Sequence, residues 1–277
     1  MKRNPKRALE RSFVATISQF AFCCHEAIEK VQTTANLPLF CYEQLASANL
    51  CTIHANRICN IFEHILTQEN ASLSQRLQSF NPENILSGIA KTLADTVADS
   101  ISMKIDCDSH SICDFPVTVN QAKFEFAFLN LLYCSIRSGE LSSHKTTRIN
   151  LSVKELKDSL QFHIKDNGNL INPLITENLR AGNPPLSGFV STRDTLISFS
   201  LDVADKIIFD MDGNFSYKAL KSGNRYDIIL PKFPDGVQKT AKSPSVYVPA
   251  IRVYKEIFED IIGGSSYILN NIKEDIS

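Results

Sequence analysis

The stretch that decides the fold is LQFHIKDNGNLINP, Leu160 to Pro173. Leu160, Phe162 and Ile164 alternate with polar residues, the period of a strand with one buried face. The strand runs into Asp166, then Asn167-Gly168, then a proline. Asn-Gly is a common turn former, and an aspartate before it can build an Asx turn. A carboxylate fixed at a strand end has a second use. It only accepts hydrogen bonds, so it can select a donor on a buried ligand. On this stretch alone both readings stay open.

Outward from it, helices and strand pairs alternate. Towards the N-terminus the pattern predicts a strand carrying Ile149, Leu151 and Val153, and before it a long helix from Asn120 to Arg137. Short strands are expected at Ile101 to Asp106 and Ile112 to Val117. Asn81-Pro82-Glu83 reads as an N-cap with proline at the first helical position, opening a helix over Pro82 to Asp99. Towards the C-terminus come a Pro-, Gly- and Ser-rich loop (Ala181 to Thr192) and a helix from Thr195 to Met211. A strand pair around Phe215-Tyr217 and Tyr226-Leu230 follows. This order predicts an α+β sandwich, one sheet with helices on one face.

The first 79 residues have a different character. Phe13, Ile17, Phe20, Ala21, Cys24, Ile28 and Val31 recur at helical spacing over Ala8 to Asn36, and Leu37-Pro38 ends that run. Leu45, Leu50, Ile53, Ile58, Ile61, Phe62 and Ile65 repeat it over Tyr42 to Gln68. Two long helices with a short connection form an αα-hairpin, and a hairpin alone has too little core. A second copy completing a four-helix bundle is the economical solution, so a homodimer is expected. The division read from sequence is 1–79 hairpin, a polar stretch closing it, 80–233 sandwich, and 234–277 a polar, proline-broken tail. In the tail, Ile251, Tyr254, Ile257, Phe258 and Ile261 make a short amphipathic helix.

Composition narrows the function. With 277 residues, 43% of them hydrophobic, and a net charge of -1, the chain has enough apolar material for one large or two modest domains. The neutral balance gives no electrostatic case for nucleic acid or an anionic membrane as partner. No apolar run reaches the roughly 18 residues that suggest a membrane span, and no signal-peptide pattern follows Met1, so a cytoplasmic location is expected. The eight cysteines include no Cys-x-x-Cys pair and none near histidine at zinc spacing, and read as reduced, buried thiols.

Three boxes then fall into order: FAFLNLLYCSIRSG (Phe126 to Gly139), IKDNGNLI (Ile164 to Ile171) and SFSLDVADKIIFDMDGNFSYKALKSGNRYDIILP (Ser198 to Pro231). They resemble the asparagine box and the two glycine-rich boxes of the ATP-binding domain of sensor histidine kinases, a fold shared with gyrase and the heat-shock chaperone ATPases. The resemblance covers Pro82 to Pro231, and the hairpin before it resembles those kinases' dimerisation and phosphotransfer helices. It implies ATP as cofactor, lying between the Asn130 helix and the Asp166 strand, with Asp166 accepting from the adenine amino group. Gly168, Ser198 and Ser200 take the places of glycines near the phosphates. A response-regulator receiver domain is the implied partner.

The departures are chemical. The second asparagine of the box, which such kinases use to hold magnesium, is Cys134, a soft donor unsuited to a hard cation, so magnesium is doubtful. Leu170 replaces one glycine of the first box, and Ser198 and Ser200 replace both of the second, where backbone amides must approach phosphate closely. FVATISQ (Phe13 to Gln19) resembles the phosphoacceptor run, but it ends in Gln19 where histidine is expected, and an amide cannot take a phosphoryl group as imidazole can. His25-Glu26, six residues on, imitates the histidine–acid pair. Six residues turn a helix through about 240°, so His25 need not face the same way. His25 as acceptor with Glu26 as base stands beside a packed or solvated His25. These features imply a cytoplasmic two-component signalling protein of histidine-kinase architecture with impaired ATP chemistry. The alternative is a non-catalytic relay module, a phosphotransferase or pseudokinase scaffold, that docks a receiver domain. A serine kinase of the anti-sigma-factor type is disfavoured by the long hairpin.

Overall fold

The computed structural model describes residues 24, 28, 48, 52–53, 55–57, 59–60, 77–98, 100–108, 115–140, 145–183, 192–232 and 244–262. The chain divides into two compact units, one of residues 72–254 and one of residues 1–71 with 255–277.

The larger unit contains the sandwich. In chain order its elements are β1 (Leu77–Phe80), α1 (Pro82–Val97), β2 (Met103–Cys107), β3 (Val117–Asn120), α2 (Gln121–Gly139), β4 (Thr147–Glu155) and β5 (Ser159–Asp166). Then come α3 (Pro173–Arg180), α4 (Thr192–Phe209), β6 (Asn214–Leu220), β7 (Gly223–Pro231) and α5 (Ile251–Ile257), whose last residues pass into the other unit. The main sheet has the order β2-β4-β5-β7-β6. Its β2–β4 pair is parallel and the others are antiparallel. β1 and β3 form a separate antiparallel pair.

Alternation explains which face is buried. Ile149, Leu151 and Val153 of β4, Leu160, Phe162 and Ile164 of β5, and Tyr226, Ile228 and Leu230 of β7 are all buried. The polar residues between them point the other way, as a period of two requires. Helix α2 supplies the opposing surface and is buried almost throughout from Phe124 to Gly139. Phe124 lies 5.2 Å from the Phe162 ring and 5.4 Å from Phe128, a tilted aromatic cluster that joins helix to sheet. Helix α4 packs along α2.

The cap at Asn81 is as expected, and Asn120, read as the first helical residue, is a cap as well. Asn81 accepts from the Glu83 and Asn84 amides at 2.9 and 3.1 Å, starting α1 at Pro82. Asn120 does the same for Lys123 at 3.1 Å and starts α2.

Several boundaries differ from the sequence reading. Helix α1 stops at Val97 rather than Asp99, and α4 runs from Thr192 to Phe209 rather than from Thr195 to Met211. The strand expected at Ile112 to Val117 falls partly outside the described residues, and pairing begins only at Val117. Residues 77–79, read as the end of a polar stretch, form most of β1 because β3 supplies a partner edge. Helix α3, opened by proline after the Asn172 cap, was not expected. The proline-broken tail is ordered where it is described: the Ser245 amide donates to Ser79 O at 2.6 Å, Gln121 Nε2 to Val248 O at 2.6 Å and the Ala250 amide to Glu125 Oε1 at 3.0 Å.

In the smaller unit the described residues between 52 and 60 are helical, and Ile53, Arg57 and Cys59 are buried. Arg57 Nε donates to Ile257 O at 2.9 Å and Asn56 Nδ2 to Glu259 at 3.1 Å. Ile257, Phe258 and Ile261 are buried there too, the stripe read from sequence for the tail helix. Most of the expected hairpin lies outside the described residues.

Candidate functional site

Asp166 is the last residue of β5 and is 5% exposed. Its Oδ1 accepts three bonds: from the Gly168 amide at 2.9 Å, the Asn224 side-chain amide at 2.8 Å and the Asn224 backbone amide at 3.3 Å. Its Oδ2 is buried with no partner of regular hydrogen-bond geometry. The Ser135 hydroxyl, also buried and without such a partner, is near enough to favour the ionised carboxylate. Burial nevertheless dominates and pushes the Asp166 carboxyl up to about 6. The Asx turn and the strand-end acceptor are therefore both present, one on each oxygen.

Two glycines allow this geometry. A Cβ on Gly168 would lie 2.6 Å from Ser138 Cβ and 2.7 Å from the Gly139 amide, so this loop seats directly on the end of α2. Gly223 opens β7 at a φ of 108°, and a Cβ there would collide with the Asp166 carbonyl. The loop is stapled on both sides. The Asn169 amide donates to Ser138 O at 2.8 Å, and the Arg148 amide donates to Asn167 Oδ1 at 2.7 Å.

Asn224 organises the base of the site and was missed in the sequence, where Gly223-Asn224 reads only as a turn. Its amide nitrogen serves Asp166 and Asn169 O at 3.0 Å, while its oxygen accepts from the Ile171 amide at 3.2 Å and from Tyr217 at 2.8 Å. Burial raises the Tyr217 hydroxyl, and Asp166 adds to the effect.

The other expected residues are placed as follows. Asn130 is fully buried on α2, and its side-chain amide donates to Phe126 O one turn back at 2.9 Å. Cys134 is fully buried, its Sγ 3.8 Å from Ile197 O on α4. Ser198 and Ser200 stand inside α4, both buried, and the Ser200 hydroxyl donates to Leu196 O at 2.8 Å. Inside a helix their amides point to carbonyls four residues back rather than to a ligand. Leu170 is 52% exposed. Arg193 Nε donates to Arg137 O at 2.8 Å, tying the start of α4 to the end of α2. Gln19, His25, Glu26 and residues 184–191 of the expected lid lie outside the described residues. Asp166 and Gly168 are thus brought together with Ser135 and Asn224, while Ser198 and Ser200 are buried within α4 and Cys134 meets α4 at Ile197 O.

For a nucleotide the two ends of this arrangement differ. The Asp166 end offers a dry acceptor with an open lone pair, which suits an amino group on a buried base. At the other end, the Cys134 thiol is a poor magnesium ligand. Among the described residues no group of three or more His, Cys, Asp or Glu side chains could hold a metal.

The mixed sheet with helices on one face is the fold of histidine-kinase catalytic domains. Full-length ShkA in complex with AMPPNP is similar to this chain at 13% identity over 85% of this chain and 47% of that one, with a TM-score of 0.50. This chain therefore spans about half the length of that protein. Two further structures are similar. The Acinetobacter baumannii histidine kinase AdeS matches at 13% identity over 77% of this chain and 96% of that one, TM-score 0.48. The nucleotide-free catalytic domain of the histidine kinase ThkA matches at 16% identity over 57% and 99%, TM-score 0.44. No protein-family model matches the chain, and no curated protein matches it. Among the described residues no helix is long and apolar enough to cross a membrane.

Proposed function

We propose that the chain is a cytoplasmic two-component signalling protein of histidine-kinase architecture whose ATP-dependent phosphorylation is impaired. It works as a homodimer through its N-terminal hairpin, with a response-regulator receiver domain as partner. The observation that carries this reading is helix α4. It continues from Thr192 through Ser198 and Ser200 to Phe209 and meets α2 at Cys134. Phosphate binding by backbone amides needs an open loop or a helix N-terminus, and these serines occupy neither. Adenine recognition at Asp166 keeps its chemistry, so any residual nucleotide affinity comes from the base.

The same observation favours the non-catalytic relay reading over a working kinase. A relay module needs its hairpin and an acceptor histidine, for which His25 is the candidate, and it needs no ATP. Two measurements on the purified chain separate the cases. Incubation with γ-phosphate-labelled ATP and magnesium should give negligible labelling, while a phosphorylated receiver domain should pass label to the chain, and His25→Ala should abolish that transfer. Rapid acid-labile labelling from ATP, lost in His25→Ala, would restore the kinase.

A further inference from the structure

The helices cover one face of the five-stranded sheet, and the polar side chains occupy the other. That second face carries six cations, Lys104, Arg148, Lys154, Lys165, Lys218 and Arg225, as the register of the four strand pairs requires. Its strand residues include two carboxylates, Asp106 and Asp227. The surplus is local, because the chain as a whole has a net charge of -1.

The cations are ordered. Lys165 stands directly opposite Arg225, and Arg225 opposite Lys218, so three positive charges form one row across β5, β7 and β6. Like charges directly opposite in register destabilise a sheet. Asp227, on the same face, compensates this row only in part, because one carboxylate stands beside three cations: Arg225 Nε donates to it at 2.6 Å, Lys218 Nζ lies 3.9 Å from its other oxygen, and His163 Nδ1 lies at 2.6 Å. These contacts fix the Arg225 guanidinium, while Lys218 is 63% exposed and Lys165 is exposed.

The chemistry of the face selects the kind of anion. It has no Phe, Tyr or Trp on which unpaired bases would stack, because Phe215, Tyr217 and Tyr226 belong to the opposite side. Its two large apolar side chains, Ile229 and Leu220, are both half-buried, so neither projects to enter a bilayer. Neighbouring strands lie roughly 4.8 Å apart, and carboxylates three or four residues apart on a helix stand roughly 5 to 6 Å apart. The spacings match. We propose that the open face of the sheet docks an acidic helix of a partner protein, laid across the strands along the Lys165–Arg225–Lys218 row.

The test uses the full chain and a fluorescein-labelled helical peptide of 21 residues with glutamates at every third or fourth position of one face, followed by anisotropy. Binding should be measurable at 50 mM salt and weaken at least tenfold in Lys165→Glu/Lys218→Glu. A pair of equal charge change elsewhere, Lys91→Glu/Lys206→Glu, should stay within twofold of wild type. The sheet pair removes like-charge neighbours and should keep its melting temperature; if it unfolds, Lys165→Gln/Lys218→Gln gives the same comparison. Equal weakening by both pairs, or no binding by wild type, overturns the proposal. Tighter binding of a single-stranded oligonucleotide of 21 bases or of phosphatidylglycerol vesicles also overturns it, by assigning the face to another anion.

Discussion

The side-chain amide of Asn224 donates to Asp166 Oδ1 at 2.8 Å, so the residue next to the start of β7 fixes the carboxylate that ends β5. One oxygen of Asp166 is thereby committed to the fold. The other is buried with no such commitment, and a fold maintains that arrangement at a cost in stability.

That cost has a definite sign. Because burial raises the Asp166 carboxyl to about 6, the folded state resists its ionisation. The Asp166 contribution to stability should therefore be greatest below about pH 4, where both folded and unfolded forms are protonated, and be lost as pH rises from there through 6. Asp166→Asn keeps the acceptor at Oδ1 and removes the charge. At pH 7.5 it should be more stable than wild type by up to about 3 kcal/mol, with the difference fading towards pH 4. Denaturant melts at three pH values read this directly, and a variant less stable than wild type at pH 7.5 contradicts it.

The same variant should lose any adenine-nucleotide affinity the chain has. Asparagine places a donor against the donor of the base, costing about 1 to 3 kcal/mol of binding. Calorimetry with ATP or ADP, without magnesium, tests this. Greater stability together with weaker binding would mark Asp166 as a residue kept for a ligand. Unchanged affinity in a folded variant would leave it as a turn former.

Cys134→Asn restores the residue that resembles a magnesium ligand but should restore no function. The side chain is fully buried against Ile197 O, and an asparagine there adds volume and a polar group. The expected result is a loss of about 1 to 3 kcal/mol in stability with no magnesium-dependent gain in nucleotide binding. A magnesium-dependent gain would show that α4 moves aside.

How far the sequence revealed this site depended on the range of each signal. The strand before Asp166 and the helix cap at Asn81 follow from local periodicity and turn chemistry, and they were legible. Asn224 was not, because its role depends on a partner 58 residues earlier and its own neighbourhood spells only a turn. Strand β1 was hidden for a similar reason: Leu77–Phe80 becomes a strand only through β3. Ser198 and Ser200 were assigned to a box by order alone. Their enclosure in a helix follows from the packing of α4 on α2, which no local pattern states.

The tail offers an independent check on packing. A Cβ on Gly88 would come within 2.6 Å of the Tyr247 ring, so Gly88→Ala should destabilise the larger unit by about 1 to 3 kcal/mol. In a Tyr247→Ala background the penalty should fall by more than half, since the colliding ring is gone. Additive penalties would show that Tyr247 does not rest on Gly88 in solution.

The stripe Phe13, Ile17, Phe20, Ile58, Ile61 and Ile65, read as one face of a hairpin, should pair with a second copy. Light scattering at micromolar concentration should give twice the chain mass. A clean monomer would remove the four-helix bundle from the proposed architecture.

Helix α4 also bears on the history open to such a chain. Glycine in a helix interior is less favourable than other ordinary residues, by roughly 0.5 to 1 kcal/mol relative to alanine, and serine at 198 and 200 avoids part of that loss while its hydroxyl can bond within the helix, as Ser200 does to Leu196. Returning either position to glycine would weaken the helix before any phosphate could be held, because the remaining turns and the Cys134 contact would stay closed. Under the proposed function, a phosphate loop here would be reached only by steps that each lower stability and gain nothing until several are complete. Substitutions of this kind would act as a ratchet, holding such a chain away from ATP chemistry by its own packing.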